Sequence, residues 1–350
     1  MAGQKLRSAG EYMTPVPTQW IGPIKLIGDV VNEEVSVPMA TYESPLWPST
    51  GRGAKVSRMC DGIRCTLVDE RMSRSIALRA KHAQAAVDAW QSISSRQDEL
   101  EAVVASTSRF TRLIKLNRQL VGNLLFLRFE CVTGDASGHN MVTGAADALQ
   151  AWLLNEYPDL EYSTISGNFC TDKKVSAVNS ILGRGKYVIA EIEIPRDLCS
   201  SALRTTPEEM LRLNIEKNLI GGNIAGSLRS ANAHFANMLL GFYLATGQDA
   251  ANIIEASQGI VHCEVRSDLL YFSCTLPNLI VGTVGNGKGL DVINETLEKM
   301  GCREERETGA NARRLAALCA ATVLCGELSL LAAQTNPGEL MRTHFKMERQ

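Results

Sequence analysis

The tetrapeptide Thr171-Asp172-Lys173-Lys174 sets a carboxylate beside two ammonium groups. A lysine held near a carboxylate can polarise a carbonyl and stabilise the oxyanion developing on it, although the same charge run suits a solvated turn. Gly134-Asp-Ala-Ser-Gly-His-Asn lies between a strand-like and a helical segment, where backbone N–H groups and a positive helix terminus could receive a phosphate. Its G-x-x-x-G spacing is not the Rossmann G-x-G-x-x-G, and a plain turn fits as well. Val284-Gly285-Asn286-Gly287-Lys288-Gly289 lacks the Ser or Thr that follows a P-loop lysine, so it reads as a flexible turn. Asp249 suits an N-cap, Glu43 in Thr41-Tyr-Glu-Ser-Pro any strand end, and His344 stands where chains commonly fray. Singly, none of these defines a reaction.

Metal chemistry is disfavoured. The five histidines show no H-x-x-x-H pair and the ten cysteines no C-x-x-C pair. Nothing marks export, so free thiols in a reducing compartment are expected.

The elements that must position these residues are partly legible. Residues 12–53, rich in Pro, Gly and β-formers, predict short strands and loops, and the alanine-rich stretches Ile76–Ser92 and Arg96–Ser106 predict helices. Leu125, Leu127, Phe129 and Cys131 alternate with Arg128 and Glu130, the pattern of a half-buried strand. A helix is expected from Met141 to Leu154 and a strand from Lys186 to Ile194. Thr206-Pro-Glu-Glu then opens a capped helix. Gly221–Gly247 predicts one long helix ended by Gly247. Leu269–Cys274 and Leu279–Thr283 predict strands, and Ala312–Ala333 a helix buried on all sides.

With 45% hydrophobic residues the chain can bury a real core, and 350 residues suggest about two domains. A net charge of -2 without a like-charge block disfavours nucleic-acid and anionic-membrane partners. Met1–Tyr12 has no apolar signal region, and the apolar run Leu315–Gly326 reads as too short to span a bilayer. A soluble, cytoplasmic protein is expected.

Taken together and in order, Thr41-Tyr-Glu-Ser-Pro-Leu, Met72-Ser-Arg-Ser, Gly134-Asp-Ala-Ser-Gly-His-Asn-Met, Ser166-Gly-Asn-Phe-Cys-Thr-Asp-Lys-Lys, Asn232-Ala-His-Phe-Ala-Asn and Ala245-Thr-Gly-Gln-Asp-Ala-Ala are similar to the catalytic portion of the 3-hydroxy-3-methylglutaryl-CoA (HMG-CoA) reductases, on the class I side. The resemblance covers about residues 12–345. It implies an α+β fold: a large mixed α/β substrate domain (1–74 and 166–336), an inserted ferredoxin-like dinucleotide-binding domain (75–165) and a C-terminal flap (337–350).

It further implies reduction of HMG-CoA to mevalonate and CoA by two NADPH, in a homodimer or homotetramer. Lys173 matches the lysine that stabilises the oxyanion, Glu43 the acid that supplies a proton, Asp249 the carboxylate linking the two, and His344 the flap histidine that protonates the departing thiolate. Arg74, Ser166, Asp172, Lys174, Lys217, His234 and Asn237 match positions that hold the acyl group. Asp135, Gly138, Asn140, Met141, Gly285 and Gly287 match the dinucleotide loops, with Ser108 and Arg109 near the adenosine phosphate. A serine and an arginine there favour NADPH, while leaving NADH open. Ser137 and His139 replace apolar residues of the first loop, and Asn286 and Lys288 alter the second. Two rival readings are NAD-dependent oxidation of mevalonate and an acyl-CoA-binding paralogue without turnover.

Overall fold

The computed structural model describes residues 13–348 except 286; side chains 343, 344 and 346–348 are also outside the described set. Met1–Tyr12, Asn286 and the His344 side chain therefore lie outside the described residues.

Strand β1 (Thr18–Ile27) pairs antiparallel with β2 (Glu34–Ala40) and, through Leu26 and Ile27, parallel with β3 (Ile63–Arg79). The first half of β3 pairs antiparallel with β7 (Gly185–Pro195), followed by β9 (Leu269–Leu279) and β8 (Ile260–Arg266), giving the order β2-β1-β3-β7-β9-β8. From Met72 onward β3 leaves β7 and pairs instead with β5 (Leu124–Val132) and β6 (Glu161–Thr164), while β4 (Arg112–Val121) lies outside β5. One 17-residue strand thus belongs to both halves. Helices α2 (Ala83–Ser94) and α3 (Gln97–Thr107) link β3 to β4, and α4 (His139–Glu156) links β5 to β6. The resulting β-α-β-β-α-β order, with β3 central, is the ferredoxin-like arrangement. Each half has its own core: Ile76, Leu127, Phe129, Leu149 and neighbours in the inserted unit, and Ile63, Val188, Phe235, Phe272 and Leu324 among many others in the larger one.

The remaining helices are α1 (Leu46–Met59), α5 (Ala177–Leu182), α6 (Arg196–Leu198), which runs into a π-helical turn Cys199–Leu203, and α7 (Pro207–Leu213), which continues as π-helix Asn214–Gly221 into α8 (Gly222–Ile224). They are followed by α9 (Phe235–Ala245), α10 (Ile253–Ala256), α11 (Asp291–Lys299), α12 (Ala310–Gln334) and α13 (Glu339–Glu348). Thr206 caps α7 as expected, accepting from the Glu209 N–H at 3.2 Å. All ten cysteines are free thiols.

Several expectations fail for tertiary reasons. Ile76–Arg79 is strand, because its backbone completes the ladder to Leu127 and Leu124, and the helix begins only at Ala83. Arg128 and Glu130 are as buried as their apolar neighbours, since they pair with each other rather than face water. Gly221–Gly247 is broken: backbone between α8 and α9 turns aside so that Ala231 pairs with Ile260. Residues 281–283 do not extend β9. The full α12 is long and apolar enough to cross a membrane, contrary to the reading of its core run as too short, yet 94% of its most apolar window is buried by neighbouring elements.

Helix α1 is hidden in the sequence by Pro48, Gly51 and Gly53. It forms because it packs on α12, and Gly53 permits the contact: a Cβ there would stand 2.2 Å from the Cys325 carbonyl oxygen. Gly51, two residues earlier, has nothing within 4 Å. Gly53→Ala should therefore cost about 2 kcal/mol or more in urea unfolding through overpacking, whereas Gly51→Ala should be neutral or stabilising by about 0.5–1 kcal/mol because alanine restricts the unfolded chain. Equal stabilities for the two variants would contradict the α1–α12 contact.

Candidate active site

Lys173 lies in the loop between β6 and α5, where three non-glycine residues, Asn168, Thr171 and Lys173, hold φ between 47° and 59°. Left-handed backbone at such residues costs of order 1 kcal/mol each and persists only where surroundings enforce it. Here the enforcement is specific. Ser75 Oγ accepts from the Phe169 N–H, Asn179 Nδ2 donates to the Thr171 carbonyl, and Arg128 donates to the Phe169 carbonyl. The loop presents the Lys173 ammonium 2.8 Å from Asp249 Oδ2. The hydrogen bond to Asp249 raises the Lys173 pKa, so the amine stays charged. Burial pushes the Asp249 carboxyl upward, but Lys173 and the Ala251 N–H, 3.1 Å away, outweigh it and hold the group below its ordinary range. Asp249 is thus an N-cap and the lysine's counter-ion at once.

Behind this pair stands a buried array of charges. Arg128 gives hydrogen bonds to Glu130, Asn179 and the Gly183 carbonyl. Arg184 lies 3.0 Å from Asp172 Oδ1 and 2.6 Å from Glu255 Oε1. Burial raises the Glu255 pKa to about 7, against the pull of Arg184. Asp172 is also 3.8 Å from Arg74 and 3.7 Å from His139 Nε2. Burial and the Arg184 charge hold His139 below its ordinary range. Removing one partner from such a set strands an uncompensated charge, commonly at a cost of about 3–5 kcal/mol.

Lys173, Asp249, Asp172, Arg74 and His139 line a cleft of about 520 Å3 whose other walls include Gly138, Asn140, Met141, Gly285 and Lys288. Gly138, with φ 94°, opens α4; no side chain caps that helix, and its N-terminal N–H groups remain for an anion. Gly287 (φ 83°) packs against the Gly247 backbone, and Lys288 Nζ donates to the Gly247 carbonyl at 2.6 Å and to Gln248 Oε1 at 3.1 Å. Gly287 and Lys288 therefore brace the segment leading to Asp249. The Asp135 carboxylate is engaged within the protein, accepting from the Gly309 and Ala312 N–H groups, each at 2.9 Å.

Glu43, His234 and Asn237 lie in a second cleft, of about 370 Å3, walled by α1, α12 and α13. Asn237 Nδ2 donates to Glu43 Oε2 at 3.2 Å. Burial lowers the His234 pKa to about 4, so its ring is neutral. Among the described residues Glu43 makes no hydrogen bond or ion pair with Lys173 or Asp249. The single chain brings together Lys173, Asp249, Asp172 and Arg74, and separately Glu43, His234 and Asn237. Lys174 is exposed and donates to the Asp172 carbonyl, and the Ser166 N–H donates to Thr164. Lys217, on the π-helix, exerts its charge on His234. Ser108 and Arg109 line neither cleft; they form the turn between α3 and β4, where the guanidinium lies 4.6 Å from the Phe110 ring centroid.

Sequence reasoning missed Arg128, Arg184, Glu255, Arg52 and Glu327. The available signal was weak: Glu327 is an acid amid an apolar run, and Arg128 looks like the wet face of a strand. Arg52 ties α1 to the last helix through Glu339, 3.1 Å away, and donates to Ser329 of α12.

The model of the hydroxymethylglutaryl-coenzyme A reductase family matches residues 11–349. The 3-hydroxy-3-methylglutaryl-coenzyme A reductase of Aeropyrum pernix is 41% identical over 331 residues, covering 94% of this chain and 78% of its own. That of Pyrococcus horikoshii is 43% identical over 321 residues, 91% of this chain and 78% of its own. The class II enzyme of Streptococcus pneumoniae, solved with NADPH in open conformations, shares the fold at a TM-score of 0.71 and 17% identity, over 93% of this chain and 86% of its own. With a strained lysine loop, a glycine-flanked helix terminus and an inserted ferredoxin-like unit in the same chain as these matches, the protein belongs to the hydroxymethylglutaryl-coenzyme A reductase family.

Proposed function

We propose that this chain reduces HMG-CoA to mevalonate and free CoA, consuming two NADPH and two protons, as the committed step of isoprenoid biosynthesis by way of mevalonate. The family match across residues 11–349 carries this reading. The 2.8 Å Lys173–Asp249 pair beside an uncapped helix terminus supports it chemically.

The dinucleotide fits the larger cleft: the α4 N-terminus suits a pyrophosphate, and Gly285, where an added Cβ would meet nothing within 4 Å, leaves room beside it. Gly138, Asn140, Met141, Gly285 and Gly287 would hold it, with Ser108 and Arg109 toward the 2′-phosphate. Asp135 serves by fixing the loop on α12. When bound, NADPH supplies the hydrides. Lys173, kept charged by Asp249, meets the negative charge that grows on the carbonyl oxygen. Glu43, oriented by Asn237, supplies the proton. Arg74, Lys174 and Lys217 take the free carboxylate of the acyl group, with Asp172 orienting Arg74, and Ser166, His234 and Asn237 complete its pocket. His344, on α13, protonates the leaving thiolate. The inserted unit 75–165 carries the cofactor, 1–74 with 166–336 the acyl-CoA, and 337–350 the flap.

Glu43 and Lys173 lie in different clefts of one chain, which supports a homodimer or homotetramer in which a second copy completes each site. Ile215, Leu219, Ile220 and Ile224, exposed along and beyond the π-helix, are suited to such a contact. Ten unpaired thiols favour a reducing compartment such as the cytoplasm.

Oxidation of NADPH followed at 340 nm, with HMG-CoA and then in reverse with mevalonate, CoA and NAD, tests the reading; turnover only in reverse with NAD would replace it by the catabolic one. Lys173→Met should lower kcat by about 100-fold or more with the HMG-CoA KM changed by less than about threefold, because the charge it serves arises in the transition state. Near-normal kcat would remove Lys173 from the chemistry. His344→Gln should slow HMG-CoA reduction about tenfold or more while sparing reduction of added mevaldehyde, which has no thiolate to protonate. Equal losses on both substrates would rule out that role.

A further inference from the structure

Glu327 is a carboxylate with no exposed surface, on a helix whose buried residues are mostly apolar. An apolar residue there would avoid the desolvation cost of a buried acid. The carboxylate has defined partners. Its Oε1 accepts from the Ala233 N–H, and its Oε2 accepts from the His234 N–H at 3.1 Å. These are the residues that lead into α9, so an acid on one helix caps the start of another. The preceding residue contributes as well: His234 Nε2 lies 3.1 Å from the Gly326 carbonyl oxygen. A carbonyl can only accept, so Nε2 carries the proton and Nδ1 is left with the lone pair. His234 and Asn237, which donates to Glu43, sit on the turn of α9 that Glu327 fixes, and all three line the smaller cleft.

We infer that Glu327 is a positioning residue for the acyl pocket: by holding the Ala233 and His234 N–H groups, it presents His234 as the Nε2–H tautomer, whose Nδ1 accepts a hydrogen bond from the hydroxyl of the bound acyl group. The assignment rests on the reductase reading above and deepens it. Glu327 touches no substrate; it acts through His234. A buried carboxylate is used because two adjacent backbone donors need two acceptor oxygens, which neither an amide nor a hydroxyl supplies. Nearby Lys217 and the two N–H groups favour the ionised form, while burial raises the pKa to about 7.

Glu327→Gln keeps the shape but turns an NH2 toward a backbone donor. Its kcat/KM for HMG-CoA should fall about 30-fold with the NADPH KM within about twofold, and in a His234→Ala background the same change should cost less than about twofold further, since its effect passes through the ring. A full, multiplicative loss in that background, or wild-type kcat/KM in the single variant, overturns the proposal. Nitrogen NMR of the unaltered protein labelled in histidine needs no variant to fold. It should show His234 neutral with the proton on Nε2 at pH 8, where Glu327 is ionised, and an Nδ1–H or doubly protonated ring overturns the assignment. If the wild type turns over no HMG-CoA in either direction, the reductase reading fails, and the NMR result still decides the tautomer independently.

Discussion

A helix buried on every side must have its polar groups met by the protein, because water cannot reach them. That constraint on α12 organises the molecule. At its start, the Gly309 and Ala312 N–H groups are met by Asp135, which belongs to the first glycine loop. Seventeen residues beyond Gly309 the Gly326 carbonyl takes the His234 ring, and Glu327 takes the backbone ahead of α9. Two residues later Ser329 takes Arg52 from α1. Asp135, His234 and Arg52, which answer these groups, come from three different parts of the chain. The first glycine loop, the smaller cleft and the start of α13 are thus referenced to one helix.

The Lys173 loop follows the opposite logic. It is irregular, strained at three residues and held by side chains rather than by a ladder. Arg128 reaches it from the inserted unit, and Arg184 reaches it from the larger one. Because β3 runs through both units, the two anchors share a backbone frame, and relative motion of the units would be felt at Lys173. Charged hydrogen bonds suit this task, since their direction fixes the geometry more tightly than apolar packing does.

Helix α13 packs on α12, and its contacts include the Arg52–Glu339 pair at 3.1 Å and Leu340 in the smaller cleft. Partly exposed ion pairs contribute about 0–1 kcal/mol. That pair therefore directs α13 toward α1 more than it stabilises the fold.

How much was legible depended on whether local chemistry or distant partners set the outcome. Thr206 with Pro207 marks a helix start on its own, alternation from Leu125 to Cys131 marks a strand, and the ordered short motifs placed Lys173 and Asp249 in one family constellation. These follow from backbone preference and side-chain period, which neighbours in sequence determine. Whether Ile76–Arg79 is helix or strand was decided by a ladder with residues some fifty positions away. Helix α1 exists despite Pro48, Gly51 and Gly53 because Gly53 lets it lie on Cys325. Arg128 and Glu130 look solvated, Lys288 looks like part of a loose turn, and Glu327 looks like the end of an apolar run. Each is instead a buried or half-buried brace, because its partners come from far along the chain. The sequence by itself determined which chemical groups are present and most of the regular elements. Only the tertiary structure decided which charges are paired out of water, and that Glu43 and Lys173 occupy separate clefts of one chain, since burial and ion pairing depend on contacts that no local pattern encodes.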